Sequence, residues 1–245
     1  ESRTLLIWLP SSYDLSPRRR YPLLLLNDGD TIFDPLRSTH SGIDWAADEW
    51  VAKLAREGTF PEAIIAAICH PQGPHGETGS RRDWELSPQL DGPVYTAFLT
   101  TELLPHLDVR FRILQQPEAR IVGGAGLGAL HAFELVLSRP DLIGRALCLS
   151  TAFEDVTEDP PASSAALDRL RKRPSLPSGI RFYFDYGTVG LDECYAPYQL
   201  ERGALLRERG WMDGREFRIA RVPGGSHDEL SWRLRLPEAL RFLAS

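Results

Sequence analysis

A carboxylate and a histidine follow two late strands in the order that acyl transfer uses, but the turn that would carry their nucleophile holds glycine. Residues 120–132 read RIVGGAGLGALHA: a β-branched strand end, a run of glycines, then helix formers, the strand–turn–helix in which G-x-S-x-G presents a serine hydroxyl. In that frame Gly124 and Gly128 keep the flanking glycines and Gly126 takes the serine's place. An off-by-one frame would put Ala125 there. Further on, GTVGLDE (187–193) and PGGSHD (223–228) each follow an expected strand. His227 is the candidate general base, and Asp192 the carboxylate that would fix its tautomer and stabilise the imidazolium. Glu193 and Asp185 are alternative acids, although Asp185 lies inside its strand. Taken singly, His227 reads as a loop hydrogen-bonder and Asp192 as a helix N-cap; the order nucleophile, acid, histidine is what joins them.

Acyl transfer also needs two backbone N–H groups for the oxyanion, one after the nucleophile and one from a loop after an early strand. Leu127 fits the first. The run YPLLLLNDGD (21–30) ends a buried strand in a glycine turn and makes Asp30 the second donor, provided its carboxylate points outward. Ser150, Thr151, Cys194 and Ser226 are other nucleophile types near these loops, but none stands on an elbow beside an oxyanion donor. His70, His75 and His227 lack metal-ligand spacing, so no metal or other cofactor is expected. His131 reads as a core or capping histidine. Trp84 and Phe153, with Tyr95, Tyr195 and Trp232, could wall a pocket for a planar or hydrophobic acyl group; core packing explains most of them equally well.

The elements that must position these groups alternate along the chain. Strands are expected over 5–9, 22–27, 63–69, 120–123, 146–149, 180–186 and 217–222, and helices over 45–57, 95–107, 127–138, 165–172, 194–209 and 228–243. That alternation gives one α/β domain spanning 1–245, with a mostly parallel sheet and helices on both faces. Two stretches without apolar periodicity, 70–93 and 152–161, are candidate cleft walls because both follow strands. The net charge of −6 and the shortness of the basic runs at 18–20 and 171–173 argue against nucleic acid or an anionic membrane as partner. Three cysteines without C-x-x-C spacing argue against a disulfide framework. No run approaches a membrane span, which favours the cytoplasm, and the opening at Glu1 rather than Met leaves room for a removed leader or an upstream domain.

The segments RTLLIWLPSSYD, RYPLLLLNDGDTIFD, RRDWELSP, FLTTELLPHLD, GGAGLGALHAFELVLSRPDLIGRALCLS and VPGGSHDELSWRLRLPEALRFL, in this order along almost the whole chain, resemble the esterase D and enterochelin-esterase-like branch of the α/β-hydrolases. The resemblance implies the α/β-hydrolase fold, a small-molecule ester as substrate and a serine acyl-enzyme mechanism. Two positions depart from the family pattern. Serine is usual at 126, and an uncharged residue, often Gln, is usual where this chain has Asp30. Glycine tolerates the strained elbow conformation, so the fold should persist while hydrolysis is lost or strongly impaired. The alternative is a binding protein, for a ligand or a partner protein, that keeps the cleft without the chemistry.

Overall fold

Strands that are apolar at every position belong in a sheet covered on both faces. β2 (Leu23–Leu26), β3 (Ile64–Ile68) and β4 (Arg120–Ala125) are buried at every residue. With β1 (Leu5–Trp8), β5 (Arg145–Leu149), β6 (Arg181–Gly187) and β7 (Phe217–Val222) they form a seven-stranded sheet of order β1-β3-β2-β4-β5-β6-β7. Only β1 runs antiparallel to its neighbour. This computed structural model describes residues 3–38, 41–71, 80–152, 170–173, 175 and 177–245.

The helices are α1 (Ala47–Arg56), α2 (Arg81–Leu86), α3 (Gly92–Phe98), α4 (Leu104–Arg110), α5 (Leu127–Ser138), α6 (Leu191–Glu208) and α7 (Glu229–Ala244). The pleat sends alternate residues to opposite faces. Leu23, Leu25, Val122, Phe182 and Phe184 pack with Phe133 and Val136 of α5 on one side. Leu24, Leu26, Leu147 and Leu149 pack with Val51 and Leu54 of α1 and Leu236 and Leu240 of α7 on the other. The α/β sheet with helices on both faces is as expected, and the expected strands are all present.

Three segments differ from expectation. β4 runs two residues further, because Gly124 and Ala125 still pair with Cys148 and Leu149 of β5. The single helix expected over 95–107 starts earlier, at Gly92, and is broken by a π-helical turn, Leu99–Leu103. Pro105 has no N–H to close the helical ladder there, and the Thr100 and Thr101 hydroxyls bond the carbonyls of Thr96 and Ala97 at 2.9 and 2.8 Å. The stretch 70–93, expected to be irregular, contains α2. Ser80 and Asp83 form a capping box at its start, with Oγ accepting from the Asp83 N–H and the Asp83 carboxylate accepting from the Ser80 N–H. Six residues are too few to show a helical period. Residues 72–79, all of 152–161 except Ala152, and all of the helix expected over 165–172 except residues 170–172 lie outside the described residues.

The chain leaves β2 for β3 on one side and later enters β4 on the other. Such a reversal of strand order opens a crevice at the carboxyl ends of the strands, where α/β proteins bind ligands. Among the described residues no helix is long and apolar enough to cross a membrane.

Candidate active site

Gly126 alone links β4 to α5, with φ 57° and ψ −119°. Its N–H donates to the Leu149 carbonyl at 3.1 Å, and its own carbonyl accepts from Leu130 and Ala152 at 3.1 and 3.2 Å. The flanking glycines are needed for contact between strand and helix. A Cβ at Gly124 would lie 2.6 Å from the backbone of Gly128, and one at Gly128 would press Asp28 and Asn27 at 3.1 and 3.3 Å. At Gly126 the nearest atoms to a Cβ would be His227 Nε2 at 3.3 Å and Cε1 at 3.5 Å. A side chain at 126 therefore faces His227, whereas Ala125 packs into the apolar cluster of Leu147 and Leu149.

His227 is brought there by close packing of the loops after β6 and β7. A Cβ on Gly187 would collide with the Gly225 carbonyl, and the Thr188 N–H donates to that carbonyl at 2.9 Å. The contact sets Asp192, fully buried in the first turn of α6, against the imidazole, with Nδ1 and Oδ1 2.8 Å apart. The other oxygen, Oδ2, accepts from Ser150 Oγ at 2.7 Å, the Gly187 N–H at 2.8 Å and Arg235 Nη1 at 2.9 Å. Burial alone would raise the Asp192 pKa, but the bonds from His227, Ser150, Arg235 and Gly187 outweigh it and hold the carboxyl below its ordinary value. Trp232 meets the imidazole edge-on at 4.9 Å and donates Nε1–H to Ser150 Oγ at 2.9 Å. Of the alternative acids, Glu193 is exposed, and Asp185 is buried in β6, where its Oδ1 accepts the Ser150 N–H at 2.9 Å.

Arg235, buried on α7, was not anticipated. It bonds Asp192, Ser150, the Ser226 carbonyl and Ser231, and lies 3.3 Å from Asp185. Its signal was an arginine on the inward stripe of α7 beside Leu236, Ala239 and Leu240, a place that requires buried carboxylates. Arg235→Met should destabilise the fold by about 3–5 kcal/mol in urea denaturation, because two buried carboxylates lose their cation.

Burial raises the Asp185 pKa to about 7, with the Asp192 charge adding to it and Arg235 only partly opposing. A carboxyl whose pKa is higher folded than unfolded supports the fold fully below its unfolded value of 3.8 and loses that support as pH rises to about 7. Thermal melts of Asp185→Asn should therefore show a flatter decline between pH 4 and 7 than the parent, set by that pair of values.

The loop after β2 forms the facing wall. Asp28 adopts a left-handed conformation, φ 59°. Gly29 lies so close to β3 that a Cβ would stand 2.8 Å from the Cys69 nitrogen. The Asp30 carboxylate pairs with Arg37 at 3.0 Å, and none of the described backbone bonds uses the Asp30 N–H. The Leu127 N–H, at the first position of α5, has no carbonyl within its own helix to bond. Arg82 on α2 clamps Asp28, with Nη2 at 2.8 Å and Nε on the other oxygen. Behind it, His70 bonds Glu85 at 2.8 Å. Burial would raise the Glu85 pKa, but His70 and Arg3 hold it at about 2. Neither Asp28 nor Arg82 was expected at the site from the sequence, where the pairing of two residues so far apart leaves no local signal.

Asp28, Asp30, Arg37, His70 and Arg82 line a cleft of about 650 Å³ together with Gly126, Leu127, His227, Trp45, Tyr195 and Trp232. Trp84 stands on α2 but not among the lining residues, and Phe153 lies outside the described residues. Tyr95 is buried, its hydroxyl donating to Asn27 at 2.9 Å. His131 is buried against Thr96, and burial lowers its pKa to about 3, which keeps it neutral. Ser150 and Thr151 are fully buried, Ser226 bonds Asp228, and Cys194 is exposed on α6. Among the described residues no cluster of three His, Cys, Asp or Glu could hold a metal.

A family model described as "Putative esterase" matches residues 1–243. The chain is similar in fold to an enterobactin esterase from Shigella flexneri, solved in the presence of enterobactin, with TM-score 0.75 and 20% identity over 99% of this chain and 55% of that one. It is also similar to a ferulic acid esterase, TM-score 0.70 and 18% identity over 100% and 93% of the two chains. A third similar structure is a ferulic acid esterase from Anaeromyces mucronatus in complex with ferulic acid, TM-score 0.72 and 19% identity over 99% and 86%. The present chain thus spans about half the length of the Shigella protein. Comparison with curated protein sequences gives no match.

Proposed function

The chain belongs to the esterase family, and on that premise we propose that its cleft is a carboxylic-ester hydrolase site from which only the nucleophile is missing. With serine at 126, the hydroxyl would attack the ester carbonyl as His227 Nε2 takes its proton. Asp192 would hold the Nδ1 proton and stabilise the imidazolium. The Leu127 and Asp30 N–H groups would receive the oxyanion. The protonated His227 would then give its proton to the departing alcohol, and water activated by the same imidazole would release the acid. With glycine, the cleft binds the ester and turns it over negligibly.

One observation carries this reading: the imidazole is held by Asp192 at 2.8 Å on one nitrogen and lies 3.3 Å from a Cβ at 126 on the other. Trp45, Tyr195 and Trp232 fit a planar, apolar acyl group. Arg37 and Arg82 are already matched by Asp30 and Asp28, so the cleft suits a neutral ester rather than a polyanion. Hydrolysis of p-nitrophenyl esters by Gly126→Ser, abolished by adding His227→Ala, is the test. A folded serine variant without turnover would leave the cleft to a binding protein.

A further inference from the structure

Among the described residues, one carboxylate of the cleft has no cation of its own. Asp28, Asp30, Asp83 and Glu229 line the cleft with two arginines, Arg37 and Arg82. Arg82 clamps Asp28 and lies 3.5 Å from Asp83, and Arg37 holds Asp30 at 3.0 Å. Glu229 is only 9% exposed, yet neither a cation nor a hydrogen-bond donor among the described residues meets its carboxylate. The N-terminal end of α7 favours negative charge there, but the Ser231 N–H of that first turn already donates to Asp228 at 2.8 Å. A carboxylate taken this far out of water is costly unless a partner meets it. The helix fixes its place. Trp232, three residues on, shares its face of α7, also lines the cleft and meets the His227 imidazole edge-on at 4.9 Å. Glu229 therefore stands on the His227 side of the cleft.

We propose that Glu229 is a specificity-determining residue, and that the ester it selects carries an alkylammonium group on its alcohol half. The proposal rests on the esterase reading above and narrows it, from esters without negative charge to cationic ones. The alcohol half must lie toward His227, because the imidazole gives its proton to the departing oxygen. An ammonium group on that half meets the Glu229 carboxylate where water is largely excluded, and a charge pair there is worth more than on an open surface. Trp232 beside it offers an aromatic surface of the kind that ammonium groups favour. An anionic alcohol half would be repelled by the same carboxylate, so the residue rejects as well as selects. No bond forms or breaks at Glu229. Its effect is on binding, which the chain with glycine at 126 can report directly.

Acetylcholine and 3,3-dimethylbutyl acetate share a shape and differ in charge, with a carbon in place of the ammonium nitrogen. Each is titrated into the parent chain, and Kd is read by NMR from its trimethylammonium or tert-butyl signal. The cationic ester should bind about tenfold more tightly. Glu229→Gln, which keeps the shape and removes the charge, should bring the two Kd values together, with circular dichroism melts verifying the fold. Glu229→Leu gives the same reading should the glutamine variant not fold. In Gly126→Ser the preference should carry into kcat/KM, since an ammonium held by Glu229 leaves the acetyl group at the elbow. Equal binding of the two esters by the parent overturns the proposal, as does a preference that survives loss of the carboxylate while both esters weaken alike. A preference in Kd that is absent from kcat/KM places the ammonium elsewhere and also overturns it. Binding of neither ester, while Gly126→Ser hydrolyses p-nitrophenyl acetate, overturns this inference alone. A folded but inactive Gly126→Ser overturns the esterase reading, and the Kd ratio then decides the binding role of Glu229 by itself.

Discussion

Gly126→Ser should convert the protein into an active esterase, with p-nitrophenyl acetate hydrolysis rising on the order of 10⁴- to 10⁶-fold over the parent chain, the scale on which serine hydrolases lose rate without their nucleophile. The first turnover should appear as a burst of p-nitrophenol equal to the enzyme present, since the acyl group now rests on the protein. The gain has a structural cost that should be measurable in the same variant. At φ 57° and ψ −119° a side chain is strained, and its Cβ sits 3.3 Å from His227 Nε2, so the imidazole must give by a few tenths of an ångström. Strain of this kind costs about 1–3 kcal/mol. For a domain of this size that lowers Tm by roughly 2–12 °C. Activity up and stability down together mark an elbow nucleophile. A serine that leaves Tm unchanged and gives no burst would mean that 126 is an ordinary turn.

Much of this site was legible in the chain because its parts lie on regular elements. Gly124 and Gly128 flank a strand–helix turn at the spacing of close packing, and Asp192 and His227 follow strands marked by aromatic and β-branched residues, RFYFDYG and FRIARV. The supporting groups were hidden for different reasons. Asp28 looked like turn punctuation, and its role depends on Arg82, which lies 54 residues away. Arg82 in turn sits on a helix of six residues, too short to have a period. Ser150 ends a strand like many serines; only the fold shows that its hydroxyl takes hydrogen bonds from Trp232 and Arg235 and gives one to Asp192. Such pairings join positions far apart in sequence, and local propensity carries no information about them. The same network explains why Ser150 is unfit as a substitute nucleophile: it is fully buried and its oxygen is already engaged.

Asp192→Asn, introduced beside Gly126→Ser, should lower kcat about 10⁴-fold while leaving the fold in place, as expected when the histidine is held in the wrong tautomer. The reasoning is specific to this network. Ser150 Oγ, the Gly187 N–H and Arg235 Nη1 all lie 2.7–2.9 Å from Oδ2 and present hydrogens to it. An asparagine must therefore put its carbonyl oxygen on that side, which turns its NH₂ toward His227 Nδ1. Nδ1 then has to accept, and the ring proton moves to Nε2, the atom that must be free to take the proton from serine. Nitrogen-15 NMR of the imidazole in the variant should show the proton on Nε2, where the parent carries it on Nδ1. The pH dependence of stability should change as well. The Asp192 pKa is lower folded than its ordinary value of 3.8, so its support is present above that pH and is lost as pH falls through the folded value. The asparagine variant lacks this acid-side loss. A fall in kcat of less than tenfold, with the tautomer unchanged, would remove Asp192 from the mechanism and return the role to another acid.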